Sequence, residues 1–310
     1  MASPFDEFND ALTVGGYRLG SLIARLTPGP VAQGAVSLLA PGIALSLRQR
    51  RLIIERHLKR VDPSLSGLAL RRASQQAFDS YMRYYTESFR LPTLSRKHVL
   101  RTFSYDGYQH ILTGLEKGKG VIVALPHLGG WEWAGRWMSE MGHRMTVIVE
   151  PLEPPELFDW FVKLRSDLGM NVVPLGPSAG SAVLAALARN EIVCLLSYRD
   201  IQGNGVEVEF FGERTTLPAG PATLALRTGA ALLPTAAYFT DRGVGHHGVI
   251  GAPMNCERHG KLREDVQRIT QEMAYELETL IRRAPEQWHL LQPNWPSDHD
   301  ALRQFHDGSE

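Results

Sequence analysis

The stretch VIVALPHLGGWEWAG, residues 121–135, decides how the chain is read. Its first five residues are β-branched or small and apolar, the signature of a strand buried on both faces. Pro126 stops that strand, Gly129 and Gly130 supply a tight turn, and the Trp-rich segment 131–137 then reads as a helix. A buried strand feeding a helix through a glycine turn is the unit of an α/β sheet, whose ligands bind beyond the carboxyl ends of the strands. His127 falls at such an end.

Outward from this unit the same alternation continues. MTVIVE (145–150), NVVPL (171–175) and EIVCLL (191–196) read as further strands, separated by the helical runs PPELFDWFVKLRSDLG (154–169) and SAVLAALARN (181–190). VEVEFF (206–211), ALLPTAAYF (231–239) and GVIGAP (248–253) add strands, and a helix enters at Pro221 after the loop 218–220. A long helix spans about 259–283. Before Pro92 the period is helical throughout, which predicts a helical N-terminal layer over residues 1–94 and an α/β core over 95–310, sharing one hydrophobic core as one structural domain.

Composition narrows the function. With 33 basic and 33 acidic residues, no net field draws nucleic acid. Two cysteines, Cys194 and Cys256, are too few for a disulfide framework. The acidic N-terminus lacks the marks of an export signal. Residues 31–47 are apolar but broken by Pro41 and Gly42 and end in RQRR; they read either as helices packed on the main domain or as a contact lying on a membrane.

The chemistry turns on His127. A histidine followed five residues later by an acid occurs three times, at His57 and Asp62, His127 and Glu132, and His259 and Glu264, so the spacing alone carries no weight. His57 lies in a basic helical run and His259 opens a polar helix, where solvated histidines are expected. Only His127 follows a buried strand, and there it reads equally as a structural histidine or as a base. If a base, Gly129 and Gly130 let Glu132 turn back to the imidazole and fix its tautomer. No GxSxG elbow or reactive cysteine offers a nucleophile, which favours direct attack by a substrate hydroxyl. His246 and His247 lack metal-binding partners, and no GxGxxG follows the first strand. Glu150, Arg199 and Asp200 end other strands on the same expected edge, Arg165 reads as a surface charge on its helix, and the helix start near Gly220 offers N–H groups to an oxyanion. The tryptophans at 131, 133 and 137 read either as groove or as core.

Three motifs together resemble the bacterial lauroyl/myristoyl (lipid A) acyltransferases and the actinobacterial phosphatidylinositol mannoside acyltransferases: PHLGGWE, VEVEFFGERTTLPAGPATLALRTGAALLP (206–234) and EQWHLLQPNWPSD (286–298). The resemblance implies a glycerolipid-acyltransferase fold, a mixed sheet flanked by helices. It implies acyl transfer from acyl-CoA, used as co-substrate with no other cofactor, to a sugar hydroxyl of a lipid or glycolipid at the inner face of the cytoplasmic membrane, where the protein would sit peripherally. His127 would be the general base and Glu132 its partner. Glu150, Arg165, Tyr198, Arg199 and Asp200 would line the acceptor side, and Gly129, Gly130 and Gly220 the oxyanion and acyl side. Tyr198 departs from the family pattern, which has an acid before Arg-Asp. That substitution admits a different lipid or secondary-metabolite acceptor, and leaves open a thioesterase-like hydrolase or a non-catalytic acyl-lipid binder.

Overall fold

A computed structural model of the protein describes residues 15–17, 19–27, 31, 47–240 and 245–307. The segment 32–46, most of the stretch read as a membrane contact, lies outside the described residues. Helices α1 (Arg48–Val61) and α2 (Gly67–Arg90) form an antiparallel pair, with α2 reaching over the site. A short α3 (Arg96–Arg101), whose Ser95 hydroxyl accepts from the His98 N–H, leads into β1 (Phe103–Asp106). Then follow α4 (Tyr108–Glu116), β2 (Val121–Leu125), α5 (Trp131–Glu140), β3 (Met145–Val149), α6 (Pro155–Asp167), β4 (Met170–Pro174), α7 (Ala179–Ala188) and β5 (Ile192–Leu196). A hairpin of β6 (Val206–Phe210) and β7 (Glu213–Leu217) precedes α8 (Gly220–Thr228), β8 (Ala231–Phe239), β9 (His246–Ile250), α9 (Leu262–Arg282) and α10 (Pro296–Asp307). Helix α8 has proline in its first turn and ends on Gly229 at φ 70°, the usual start and stop asymmetry.

Seven strands form one sheet in the order β1-β9-β8-β2-β5-β3-β4. Strands β8, β2, β5, β3 and β4 run parallel; β9 runs antiparallel to β8 and carries β1 parallel to itself. This is the mixed sheet flanked by helices that the sequence predicts. The sequence reading missed β1 and β7.

Each central strand is apolar on both faces, as β-branched runs in parallel sheets require. Ile122, Ala124 and Val193 face α7, α8 and α9 in one closely packed core containing Leu187, Ala222, Ile269 and Leu277. Val121, Val123 and Ile192 face the other way, against Trp137, Met138 and Met170. Burying a side chain of this size contributes roughly 1.5–3 kcal/mol, so the two layers hold the sheet from both sides. Among the described residues no helix is long and apolar enough to cross a membrane.

Candidate functional site

The parallel register of β2 and β5 builds the site. Leu125 stands opposite Leu196, and the Ser197 N–H extends the ladder by donating to the Leu125 carbonyl at 3.1 Å. Two residues beyond each strand, the side chains of His127 and Tyr198 therefore meet, with Nδ1 and Oη 2.7 Å apart. Glu150 follows β3 on the same edge, and its Oε2 accepts from Arg199 Nη2 at 2.7 Å. His127, Glu150 and Arg199 are thus gathered at one carboxyl edge, as the strand pattern predicts, and Tyr198 joins them there.

The loop that carries His127 is clamped from the C-terminal segment. Gly129 N–H donates to the Gln287 carbonyl at 3.0 Å, His289 N–H donates to the His127 carbonyl at 2.8 Å, and Leu128 and Trp288 form an antiparallel bridge. Gln287 also accepts the Phe239 N–H at 2.7 Å, tying the clamp to the end of β8. Gly129 has φ +57°, and a Cβ there would lie 2.3 Å from the Ala237 carbonyl oxygen, so only glycine admits this approach. Its N–H is committed to Gln287 and is not available as an oxyanion donor, contrary to the role expected for it. Gly130 precedes α5 and lies against the His246 ring.

Glu132 does not turn back to the imidazole. Its Oε1 accepts from Arg165 Nε at 2.9 Å, from Arg165 Nη2 at 2.6 Å and from the Tyr84 hydroxyl at 3.2 Å, and among the described residues no hydrogen bond joins it to His127. Glu132 is the second residue of α5, and the helix directs it toward α2 and α6. Arg165 is accordingly no surface charge: its side chain is 15% exposed and sealed into the pair. Burial works against its charge, and Glu132 and Tyr84 outweigh that, so its pKa is raised. Likewise His57, expected in solvent, is buried between the Leu290 carbonyl at 3.1 Å and Asp298 Oδ2 at 3.1 Å.

His127 lines a largely apolar cavity of about 120 Å³. The floor is one face of the sheet, with Val123, Leu125, Val147, Ile192, Cys194 and Leu196 at alternate strand positions; the roof is α5, with Trp131, Ala134, Gly135, Trp137 and Met138. Glu132 and Arg165 sit in the wall. Trp131 is wedged between the rings of Tyr84 at 3.8 Å and His127 at 4.5 Å, and lies against His289 at 5.4 Å. Trp131 and Trp137 therefore line the groove, whereas Trp133 is buried on His246. Burial, then the positive Arg165 and Arg199, push the pKa of His127 down to about 3, so the imidazole is neutral at pH 7. Burial pushes Cys194 up to about 12, leaving a protonated thiol of little nucleophilicity in the floor.

Outside the mouth, a polar cleft runs past Glu150, Arg199, Asp200, Thr216, Asn294 and His299. Asp200 itself is spent on the turn after β5, accepting from the N–H groups of Gly203 and Gly205 and from Thr216 Oγ1. Gly220 lines a neighbouring pocket with Leu196, Arg199 and Pro221 rather than the cavity below His127. Among the described residues, no group of His, Cys, Asp and Glu fits a metal ion. Sequence reasoning missed Tyr84 and the clamp at 287–289, although the motif holding the clamp was visible.

The model of the family described as "Bacterial lipid A biosynthesis acyltransferase" matches residues 13–297. A phosphatidylinositol mannoside acyltransferase of Mycobacterium tuberculosis is 40% identical over 227 residues, 72% of this chain and 70% of that protein. Another protein of that name, from Mycolicibacterium smegmatis, is 37% identical over 289 residues, 91% of each chain. A lipid A biosynthesis acyltransferase of Haemophilus influenzae is 25% identical over 198 residues, 63% of this chain and 59% of that protein. A sheet edge presenting a neutral histidine over an apolar cavity, in a chain matched almost end to end, leads to one conclusion: this protein belongs to the bacterial lipid A biosynthesis acyltransferase family.

Proposed function

We propose that the chain moves a fatty acyl group from acyl-CoA to a hydroxyl of a membrane glycolipid, the acceptor class being the phosphatidylinositol mannosides that name its mycobacterial relatives. The observation that carries this reading is the neutral imidazole of His127 at the mouth of the apolar cavity, with a polar cleft on the other side. The acyl chain lies between the sheet and α5, and the sugar end of the acceptor lies along Glu150, Arg199 and Asp200. The acceptor hydroxyl gives its proton to His127 as its oxygen attacks the thioester carbonyl. The tetrahedral intermediate collapses by breaking the C–S bond, and the departing CoA thiolate takes the proton back from the imidazole. Gly130, the first turn of α5 and Arg199 supply the donors to the developing oxyanion in this reading. Glu132 acts through Arg165, which it holds in the cavity wall. No cofactor beyond acyl-CoA and no nucleic acid enters this reading.

A peripheral contact with the inner face of the cell membrane fits the helical stretch 19–26. Leu19, Leu22, Ile23 and Leu26 are 59%, 54%, 55% and 76% exposed, a spacing that puts them on one helical face. The test is thiol release from palmitoyl-CoA by the wild type and His127→Ala, with and without a mannosylated phosphatidylinositol. Acceptor-dependent release that the alanine variant loses is expected. Release that needs no acceptor would instead make the protein a hydrolase, and none from either would make it a binder.

A further inference from the structure

The residue that fixes the imidazole of His127 is not the one the motif names. Glu132 spends its carboxylate on Arg165 and Tyr84. Nδ1 of His127 instead lies 2.7 Å from Tyr198 Oη, with the two rings edge to face at 5.5 Å. Tyr198 is itself locked. It is 3% exposed, its carbonyl accepts from Asn294 Nδ2 at 3.2 Å, its ring meets Trp288 at 6.1 Å, and the preceding Ser197 N–H is bonded into the ladder with β2.

We propose that Tyr198 is the positioning residue of His127, its phenolic oxygen accepting the Nδ1–H so that Nε2 is left as the bare, basic nitrogen. The inference rests on the reading of His127 as the base, and deepens it. In the family pattern an acid stands at this place, and a carboxylate beside the imidazole would share the charge of the imidazolium. The phenol here is neutral, since burial raises its pKa. The other groups around the ring are Arg165 from α6, Arg199 after β5 with its partner Glu150 from the end of β3, Glu132 from α5, Tyr84 from α2 and His289 from the C-terminal clamp. The two guanidiniums oppose protonation of His127, and each is already paired with its own carboxylate. Exchanging a carboxylate for a phenol thus keeps the geometry of an orienting partner and removes its charge. The consequence is a base that stays competent in acid, because it is protonated only near pH 3.

The test compares the wild type with Tyr198→Phe and Tyr198→Glu by two readouts. One is the 15N chemical shifts of His127, which report tautomer and pKa without turnover. The other is the pH dependence of acceptor-dependent thiol release. The wild type is expected to carry its proton on Nδ1. Tyr198→Phe should lose that tautomer preference and about tenfold in kcat, the worth of one buried hydrogen bond, with the KM for acyl-CoA unchanged. Tyr198→Glu should raise the His127 pKa, and with it the acid limb, by about 1–3 pH units, a shift that a merely structural role would not produce. A wild-type proton on Nε2, or a His127 pKa that Tyr198→Glu leaves in place, overturns the proposal. Should the glutamate variant fail to fold, retention of the Nδ1–H preference in Tyr198→Phe overturns it and loss supports it. If the shifts behave as expected while no acyl transfer is found, the positioning role stands and the assigned reaction falls.

Discussion

Replacing Glu132 by glutamine should destabilise the fold before it says anything about catalysis. The carboxylate is 2% exposed, and it is the counter-charge of a guanidinium whose side chain is 15% exposed. Removing one partner of such a buried pair costs about 3–5 kcal/mol, because the remaining charge stays desolvated. Glutamine keeps an acceptor for Arg165 and belongs at the lower end of that range; alanine also strands the Tyr84 hydroxyl and belongs at the upper. At roughly 2 °C per kcal/mol for a chain of this size, Tm falls by roughly 6–10 °C. The double variant Glu132→Gln/Arg165→Met removes both charges and should regain most of the loss. Urea unfolding of the wild type, Glu132→Gln, Arg165→Met and the double variant measures the cycle. A Glu132→Gln protein within about 1 kcal/mol of the wild type, against the cost expected for an orphaned buried charge, would refute the argument. So would a double variant no more stable than the single. Activity of the double variant then separates what Glu132 does for the fold from what it does for the reaction.

Two further outcomes follow from the cavity and from the C-terminal segment. A Cβ on Gly135 would stand 2.8 Å from Met170 Sδ, so Gly135→Leu should drive a side chain into the cavity and shift donor preference toward shorter acyl-CoA. The expected loss is about fourfold in kcat/KM per excluded methylene, and a chain-length profile unchanged from the wild type would count against this placement of the acyl chain. Stability should also fall with pH in two stages. Burial, more than its bonds to Asp298 can offset, lowers the pKa of His57. Burial would raise Asp298, but His57, Arg56 and the Asn294 N–H outweigh it and hold its carboxyl well below the usual range. The unfolded chain therefore takes up a proton at His57 below about pH 6.5 and at Asp298 below about pH 3.9, while the folded chain takes up each only at a lower pH, and the earlier uptake by the unfolded chain favours unfolding. Urea midpoints across this range should show both stages in the wild type, and Asp298→Asn should start lower and lose the second.

The order of strands and helices from Val121 onward was legible because each element announces itself locally, through a buried apolar run, a glycine turn or a helical period. So was the shared edge of His127, Glu150 and Arg199, which needs only that the strands be parallel. Strand β1 was not, since FSYD is only four residues long, too short for its alternation to stand out, and it buries Phe103 alone. The partners of the charged groups were not legible either. Glu132 pairs with a residue 33 positions away, and His57 with one 241 away. Local pattern assigns His57 to solvent because the segment that covers it comes from the other end of the chain. The five-residue spacing of His127 and Glu132 misled for a related reason: it reports proximity in sequence, whereas the helix entered at Trp131 points the carboxylate at α2 and α6.

One long-range pair was nonetheless implicit. Once β2 and β5 are neighbours in register, residues two beyond Leu125 and Leu196 must face each other, and those residues are His127 and Tyr198. The position of His127 is therefore set by the ladder of the sheet and by the clamp at 287–289, while the roof of the cavity is set by α5 and its anchor to α6 and α2 through Glu132, Arg165 and Tyr84. These two supports meet at Trp131, which packs on His127 and lies against His289, and at Arg165, whose charge opposes protonation of His127; substitutions elsewhere in them, without shared partners, act nearly independently. Changes to the roof away from Trp131 and Arg165, such as Gly135→Leu, should thus alter which acyl chain fits and leave the proton transfer proposed for His127 intact. Changes to the register pair should alter the proton transfer and leave chain selection alone.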